Sequence, residues 1–255
     1  MSVEGSLLFA KYAFSPNKMG YCGPAQGGAI FEYCISNYSD EGLVNILKGF
    51  EGAFPYLKII AESNGIKDYF DTRVVEAYWI GNNLLGGVKD KIFYDSLNER
   101  FSKKIEKNPM KWILTKPIMG AKPHHAFHVL DVYTKTGLSK SGLKSNVLET
   151  INNCLIMWGR IDHVTCNIKH ARLDSQKARQ VTKVSIKYQP IILKNGKLTF
   201  GKLEKKEISS PFIELKVGDM VSFHWGSVCD VLNANQLANI KKWTHHHLDI
   251  ANKTI

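Results

Sequence analysis

Six cysteine and histidine side chains in this chain of 255 residues are candidates for binding a metal ion. Thiolate and neutral imidazole are the ligands with which proteins commonly hold zinc, and they also suit iron and nickel. The six candidates are Cys22, His124, His128, Cys154, His224 and Cys229. These residue types predict a metalloprotein, and the elements that carry them decide which of the six can meet.

The densest histidine cluster is the segment Pro123–His128, in which His124 and His128 are four residues apart. On a helix, and equally on a strand, this spacing places both side chains on one face, where they could share a zinc, iron or nickel ion. The segment lacks the glutamate that metalloprotease helices carry between their histidines, so peptide hydrolysis is disfavoured. The alternative is that His125 and His128 pack as half-buried core residues beside Phe127.

Three of the five cysteines lie beside glycine turns or segments that contain histidine, and these three are Cys22, Cys154 and Cys229. The sequence after Ser227 is predicted to be helical, which would place Cys229 in the first turn of a helix. The positive end of a helix lowers the pKa of a thiol, so Cys229 is predicted to be a thiolate. The alternative for each cysteine is a small buried hydrophobic residue, since no two cysteines have zinc-finger spacing.

Composition excludes several classes of protein. No apolar run approaches the length of a membrane span, and the N-terminus lacks the features of a secretory signal, so we expect a cytoplasmic protein without a membrane partner. The net charge is +11, and seven lysines but one glutamate lie between Lys183 and Lys206. Nucleic-acid binding is nevertheless disfavoured, because this basic segment has no arginine and few aromatic residues.

The hydrophobic periodicity changes once along the chain. Residues 1–152 have mostly helical patterns and predict an α-helical domain of unknown function. Beyond Cys154 the period becomes two, and Asn195-Gly196 between two short apolar runs predicts a β-hairpin. Residues 153–255 therefore predict a small OB-like β-barrel followed by a C-terminal helix, and the whole chain is assigned to the α+β class.

Two segments of the last third resemble the ends of the HypC/HupF chaperones of nickel-iron hydrogenase maturation. Cys154 to Ile161 has a cysteine, apolar residues, and a glycine followed by a basic residue and a strand. Val217 to Gly226 has a Val-Gly-Asp turn, a strand, a histidine and a glycine. The whole chain also resembles an uncharacterised prokaryotic family, through segments such as Tyr21 to Pro24, and that resemblance implies no activity.

The HypC/HupF resemblance implies that Cys154 and His224 hold iron, or its cyanide- and carbonyl-bearing fragment. The partners would then be the hydrogenase large subunit or other maturation proteins, and the helical part could make or load a diatomic ligand. A second hypothesis is a mononuclear non-haem metalloenzyme that uses His124, His128 and a carboxylate. A third is a metal-free module whose basic hairpin docks an acidic protein.

Overall fold

A computed structural model describes residues 3–134, 147–170 and 179–254 of the chain. The helices of the first part are α1 (Val3–Lys18), α2 (Gly27–Ser36), α3 (Glu41–Lys48), α4 (Phe54–Ser63), α5 (Thr72–Trp79), α6 (Leu84–Gly87), α7 (Asp90–Phe101), α8 (Lys107–Thr115) and α9 (His125–Phe127). A π-helix (His128–Tyr133) continues from α9, and α10 (Val147–Cys154) leads into the strands. The predicted N-terminal helical region is confirmed.

Five strands form a closed barrel, which confirms the predicted small OB-like barrel and the α+β class. They are β1 (Met157–His170), β2 (Arg179–Tyr188), β5 (Glu204–Ser210), β6 (Met220–His224) and β7 (Ser227–Val231), in the order β1-β2-β5-β7-β6. The pairs are antiparallel except β5 with β7. A final helix, α11 (Ala234–Ala251), follows the barrel.

The basic hairpin predicted at Asn195-Gly196 lies outside the barrel sheet. It consists of β3 (Ile191–Lys194) and β4 (Lys197–Phe200). Both turn residues have positive φ, as a tight type I′ turn requires, and asparagine and glycine are the residues that tolerate this conformation best. The local sequence signal was therefore sufficient here.

One prediction about the end of the barrel was wrong. The chain does not become helical after Ser227, because Ser227–Val231 forms β7 and the helix begins only at Ala234. The helix is capped by Asn233, whose side chain accepts from Gln236 N–H while the Gln236 side chain accepts from Asn233 N–H. Val228 and Cys229 lie in the strand that pairs with β5 and β6 and closes the barrel. This pairing makes them extended although a helix follows a few residues later.

The helical part and the barrel share buried surface. Helix α1 packs against β6 and β7, and Cys229, Leu232 and Ile240 belong to the same hydrophobic cluster as Phe9 of α1. A domain boundary near residue 152 stays a prediction, but the hydrophobic core crosses that point. Within the described residues, no helix has the length and apolar character needed to cross a membrane.

Candidate metal centre

Three potential ligands meet where the helical part joins the barrel. One ligand atom from each of His125, Cys154 and His224 lies within 4.8 Å of the other two. Atoms bonded to one metal ion at about 2.0–2.3 Å can be at most about 4.6 Å apart, so small side-chain movements would suffice for binding. Cys154 and His224, the pair predicted from the sequence, are thus close in space.

A tight turn positions His224 at the end of β6. Trp225 and Gly226 both have positive φ and connect His224 directly to its cross-strand partner Ser227. The Trp225 N–H donates to the carbonyl oxygen of Asn153 at 3.0 Å, next to Cys154. This backbone hydrogen bond holds the hairpin end beside the end of α10, which is why residues 70 positions apart become neighbours.

A proline inside α1 fixes the orientation of the His224 ring. Pro16 has no N–H, so the carbonyl of Tyr12, four residues earlier, lacks its usual helical donor. His224 Nδ1 lies 2.8 Å from this carbonyl oxygen and donates to it. Within the described residues, the buried Nε2 then has no hydrogen-bond partner. The neutral ring therefore keeps its lone pair on Nε2, as a metal ligand must.

Both ring nitrogens of His125 have a hydrogen-bonding neighbour. Its Nε2 lies 2.8 Å from the Cys154 carbonyl oxygen, which only accepts, so this nitrogen carries the proton of the neutral ring. Its Nδ1 lies 3.1 Å from the Tyr78 hydroxyl, which also lies 3.3 Å from the Gly52 carbonyl oxygen. Binding a metal through Nε2 would require the ring to turn away from the Cys154 carbonyl oxygen, with Nδ1–H donating to the Tyr78 hydroxyl and that hydroxyl donating to the Gly52 carbonyl oxygen.

Burial keeps the three groups uncharged. It is the main cause that lowers the pKa of His125 well below its ordinary value and that of His224 to about 4. Burial also raises the pKa of the Cys154 thiol to about 12, with a further contribution from Cys22. A bound cation would instead favour the thiolate form of Cys154, because metal coordination deprotonates a thiol. The site is thus neutral and ready to release a proton on binding.

The three side chains line a cleft of about 440 Å³ between the two parts of the molecule. The wall includes Trp79, whose ring lies 4.6 Å from that of His125 and 5.9 Å from that of His224. Cys22 and His128 line the same cleft, so four of the six predicted residues lie around it. Because the lining is largely apolar and aromatic, the cleft suits small ligands around an ion.

His124 and Cys229 lie elsewhere. His124 caps the short helix α9, and its ring stacks on that of His247 at 5.2 Å, away from the cleft lining. The residues from His124 to His128 do not form one regular helix, so the spacing of four does not give them a shared helical face. Cys229 is buried on β7, and burial raises its pKa, which corrects the predicted thiolate at a helix start.

Sequence reasoning considered His125 only as a possible half-buried core residue and missed it as a ligand candidate. It follows His124, an extended residue with φ −119° and ψ 149°, and opens the three-residue helix α9. This short irregular segment turns His125, and not His124, toward Cys154. The only signal in the sequence was its place within the histidine cluster.

The protein thus consists of a helical region joined to a closed five-stranded barrel, and a His/Cys group lies between them. The chain belongs to the family of unknown function DUF6390, whose model matches residues 1–255. This match confirms the resemblance to an uncharacterised family over the whole chain. No curated protein and no solved structure matches the chain, and none of the comparisons relates its last third to HypC/HupF.

Proposed function

We propose that this protein binds one transition-metal ion at His125, Cys154 and His224 and acts as an accessory factor in nickel-iron hydrogenase maturation. The observation that supports metal binding is the convergence of three ligand atoms within 4.8 Å of one another. The Nε2 of His224, a member of this group, is buried without a hydrogen-bond partner among the described residues. Such a nitrogen is costly to bury unless a ligand satisfies it.

Iron is the proposed metal, with zinc or nickel as alternatives. One thiolate and two imidazoles form a soft-to-borderline ligand set that suits low-spin ferrous iron. Three protein ligands leave coordination positions for small ligands such as cyanide or carbon monoxide, and the cleft of about 440 Å³ has space for them. The hydrogenase assignment itself rests on the two HypC/HupF-like motifs, whose cysteine and histidine are members of this cluster.

In this function the protein carries iron or its diatomic-ligand complex to the hydrogenase large subunit or to another maturation protein. The helical region contributes one ligand and most of the cleft wall, so it could also help to load a ligand. Enclosure of the ion between two parts of the chain favours temporary storage, because the two histidine ligands are buried.

A mononuclear metalloenzyme is the second candidate function. It is favoured by the presence of His128 in the same cleft, where its Nδ1 lies 3.1 Å from the Tyr56 hydroxyl. Such a pair could move a proton to or from a bound substrate. In this case the ion would be held at His125, Cys154 and His224, and His128 would act as its polar neighbour. His124 would not take part, because it does not line the cleft.

Anaerobic purification followed by metal analysis and infrared spectroscopy tests both functions. We expect one ion per chain in the wild type and its loss from the Cys154→Ala and His224→Ala variants. His245→Ala is the matched control, since His245 is exposed and lies outside the cleft. Infrared bands of bound cyanide or carbon monoxide would support the accessory function. Bound metal without such bands in protein made alongside hydrogenase would favour the enzyme.

The proposal of a metal site fails if the wild type neither retains a metal nor takes up Fe²⁺, Zn²⁺ or Ni²⁺ under reducing conditions. It also fails if Cys154→Ala and His224→Ala bind the ion as tightly as the wild type does.

A further inference from the structure

We propose that an open groove between α7 and α8 binds an acidic amphipathic helix of a partner protein. The groove has a volume of about 500 Å³, and none of the residues that line it lines the cleft of the metal centre. The inference therefore does not depend on the proposed metal function, and its test succeeds or fails whether or not the protein binds a metal.

The lining of the groove is mostly apolar. Met110, Leu114 and Ile118 contribute to it at intervals of four residues, together with Tyr94 of α7 and Ile105 of the segment that joins the two helices. Ile118 is 76% exposed, so no part of the described chain covers this end of the groove. Single exposed apolar residues are common on protein surfaces, but apolar residues grouped in an exposed concave lining are typical of interaction sites.

The arrangement of this apolar lining fits a helix. Residues four apart form the ridges of a helix surface, and the grooves beside such ridges accept the side chains of a second helix. Helix α8 has nine residues, so it is about 13 Å long and matches about two and a half turns of a partner helix. An amphipathic helix with apolar residues at positions i, i+4 and i+7 would place that stripe against Met110, Leu114 and Ile118.

Two lysines of the groove indicate the charge of the partner. Lys107 and Lys111 line it one helical turn apart, and both are exposed. Neither has an ion-pair partner among the residues that the structure describes, whereas Lys104, three residues before Lys107, pairs with Glu51 at 3.4 Å. Carboxylates spaced four residues apart along the edge of a bound helix would neutralise both ammonium groups and fix the orientation of that helix.

Other occupants fit the groove less well. A second copy of this chain would bring together two molecules of net charge +11, which repel each other. Attraction to an anionic lipid surface typically uses clusters of about four to eight cations, whereas two lysines line this groove, and a bilayer does not enter a concave surface. An acidic amphipathic helix matches both the apolar lining and the two free ammonium groups.

Binding of synthetic helical peptides to the full-length protein, followed by fluorescence anisotropy, tests the inference. One peptide of about 18 residues, roughly five helical turns, carries leucine along one face and glutamate along both edges of that face. The second peptide has lysine in place of each glutamate. We expect the wild type to bind the glutamate peptide at least about tenfold more tightly than the lysine peptide. This affinity should fall as the salt concentration rises, because salt screens exposed charges.

Two variants at exposed positions of the groove separate the apolar from the charged contribution. Ile118→Ser should weaken binding of the glutamate peptide by about tenfold, because the apolar side chain that binding would remove from water is gone. Lys111→Glu should weaken it by about the same factor, and the lysine peptide should bind this variant more tightly than it binds the wild type. Since both residues are exposed, neither substitution should unfold the protein.

Trp112→Ser and Lys103→Glu are the matched controls, because both residues are exposed and neither lines the groove. Each control variant should bind the glutamate peptide as tightly as the wild type does. The inference is overturned if the wild type does not bind the glutamate peptide, if it binds both peptides equally, or if Ile118→Ser leaves the affinity unchanged. Sedimentation of the wild type, but not of Ile118→Ser, with vesicles of anionic phospholipid in the absence of peptide binding would also overturn it, since a lipid surface would then be the occupant.

Discussion

A buried ion pair ties the π-helix to the C-terminal end of the chain. Lys116 Nζ and Asp131 Oδ1 are 2.7 Å apart, and both side chains are fully inaccessible. Lys116 also donates to the Ile250 carbonyl oxygen at 3.0 Å and to the Thr254 hydroxyl at 2.7 Å. Since Asp131 belongs to the π-helix that follows His125, this ammonium group joins the segment beside the cluster to the end of α11.

Replacing Lys116 with methionine should strongly destabilise the fold. The variant keeps the volume of the side chain but leaves the carboxylate of Asp131 buried without the Lys116 ammonium group, and breaking a buried pair in this way typically costs about 3–5 kcal/mol. The whole free energy of unfolding of a domain is only about 5–15 kcal/mol. We therefore expect a loss of a large part of the stability, measured by urea unfolding with linear extrapolation.

Two further variants test whether the loss of stability in Lys116→Met comes from the burial of the ion pair. Lys91→Met removes an ion pair with Asp95 of similar length, 2.6 Å, whose side chains are 83% and 56% exposed. Water already solvates these charges, so this change should cost less than about 1 kcal/mol. The double variant Lys116→Met/Asp131→Leu removes both buried charges and should recover most of the loss, since an apolar pair avoids the desolvation penalty.

The reasoning is refuted if Lys116→Met costs no more than Lys91→Met. It is also refuted if the double variant is as unstable as Lys116→Met alone, since the loss would then come from packing and not from an uncompensated charge.

Two other predictions concern the histidines and the proline of α1. Burial lowers the pKa of His124 to about 3 and that of His224 to about 4, from an ordinary 6.5, so below pH 6.5 the unfolded chain binds more protons than the folded one. The free energy of unfolding of the metal-free protein should thus be highest above pH 6.5 and should fall toward pH 4. At roughly pH 5 the loss should be about 2 kcal/mol per histidine. Urea unfolding across this pH range measures the loss, and an unchanged free energy of unfolding would contradict the prediction. Pro16→Ala supplies an N–H that competes with His224 for the Tyr12 carbonyl. Metal affinity should therefore fall by about 10–100-fold, while thermal stability is kept or raised. If a competition assay with a chelator gives the variant the same affinity as the wild type, this carbonyl does not orient the His224 ring.

The local patterns of the sequence predicted most of the architecture. The change of period after Cys154 identified the barrel, and Asn195-Gly196 identified the separate β3-β4 hairpin, because side-chain alternation and positive φ are decided by adjacent residues. The same local reasoning failed after Ser227. That segment forms a strand because it pairs with β6 and β5 and so closes the barrel. These partners lie outside the segment, so the residues of the segment alone do not predict the pairing.

The candidate site was predicted in part. Cys154 and His224 were identified as a pair, and the structure brings them together with Cys22 and His128 around one cleft. His125 was considered only as a half-buried core residue, because the spacing of four on a regular helix or strand pairs His124 with His128. The extended residue and short helices found there change the direction of each side chain, and no periodic pattern predicts such a change.

The sequence by itself determined the residue types that can bind a metal and the helical and barrel regions. Only the tertiary structure decided which side chains meet. Helix α1, the turn at Trp225 and the end of α10 come from distant parts of the chain, and their mutual packing sets the site. Burial at this junction also sets the protonation of Cys154 and the histidines, because desolvation depends on neighbours that are remote in sequence.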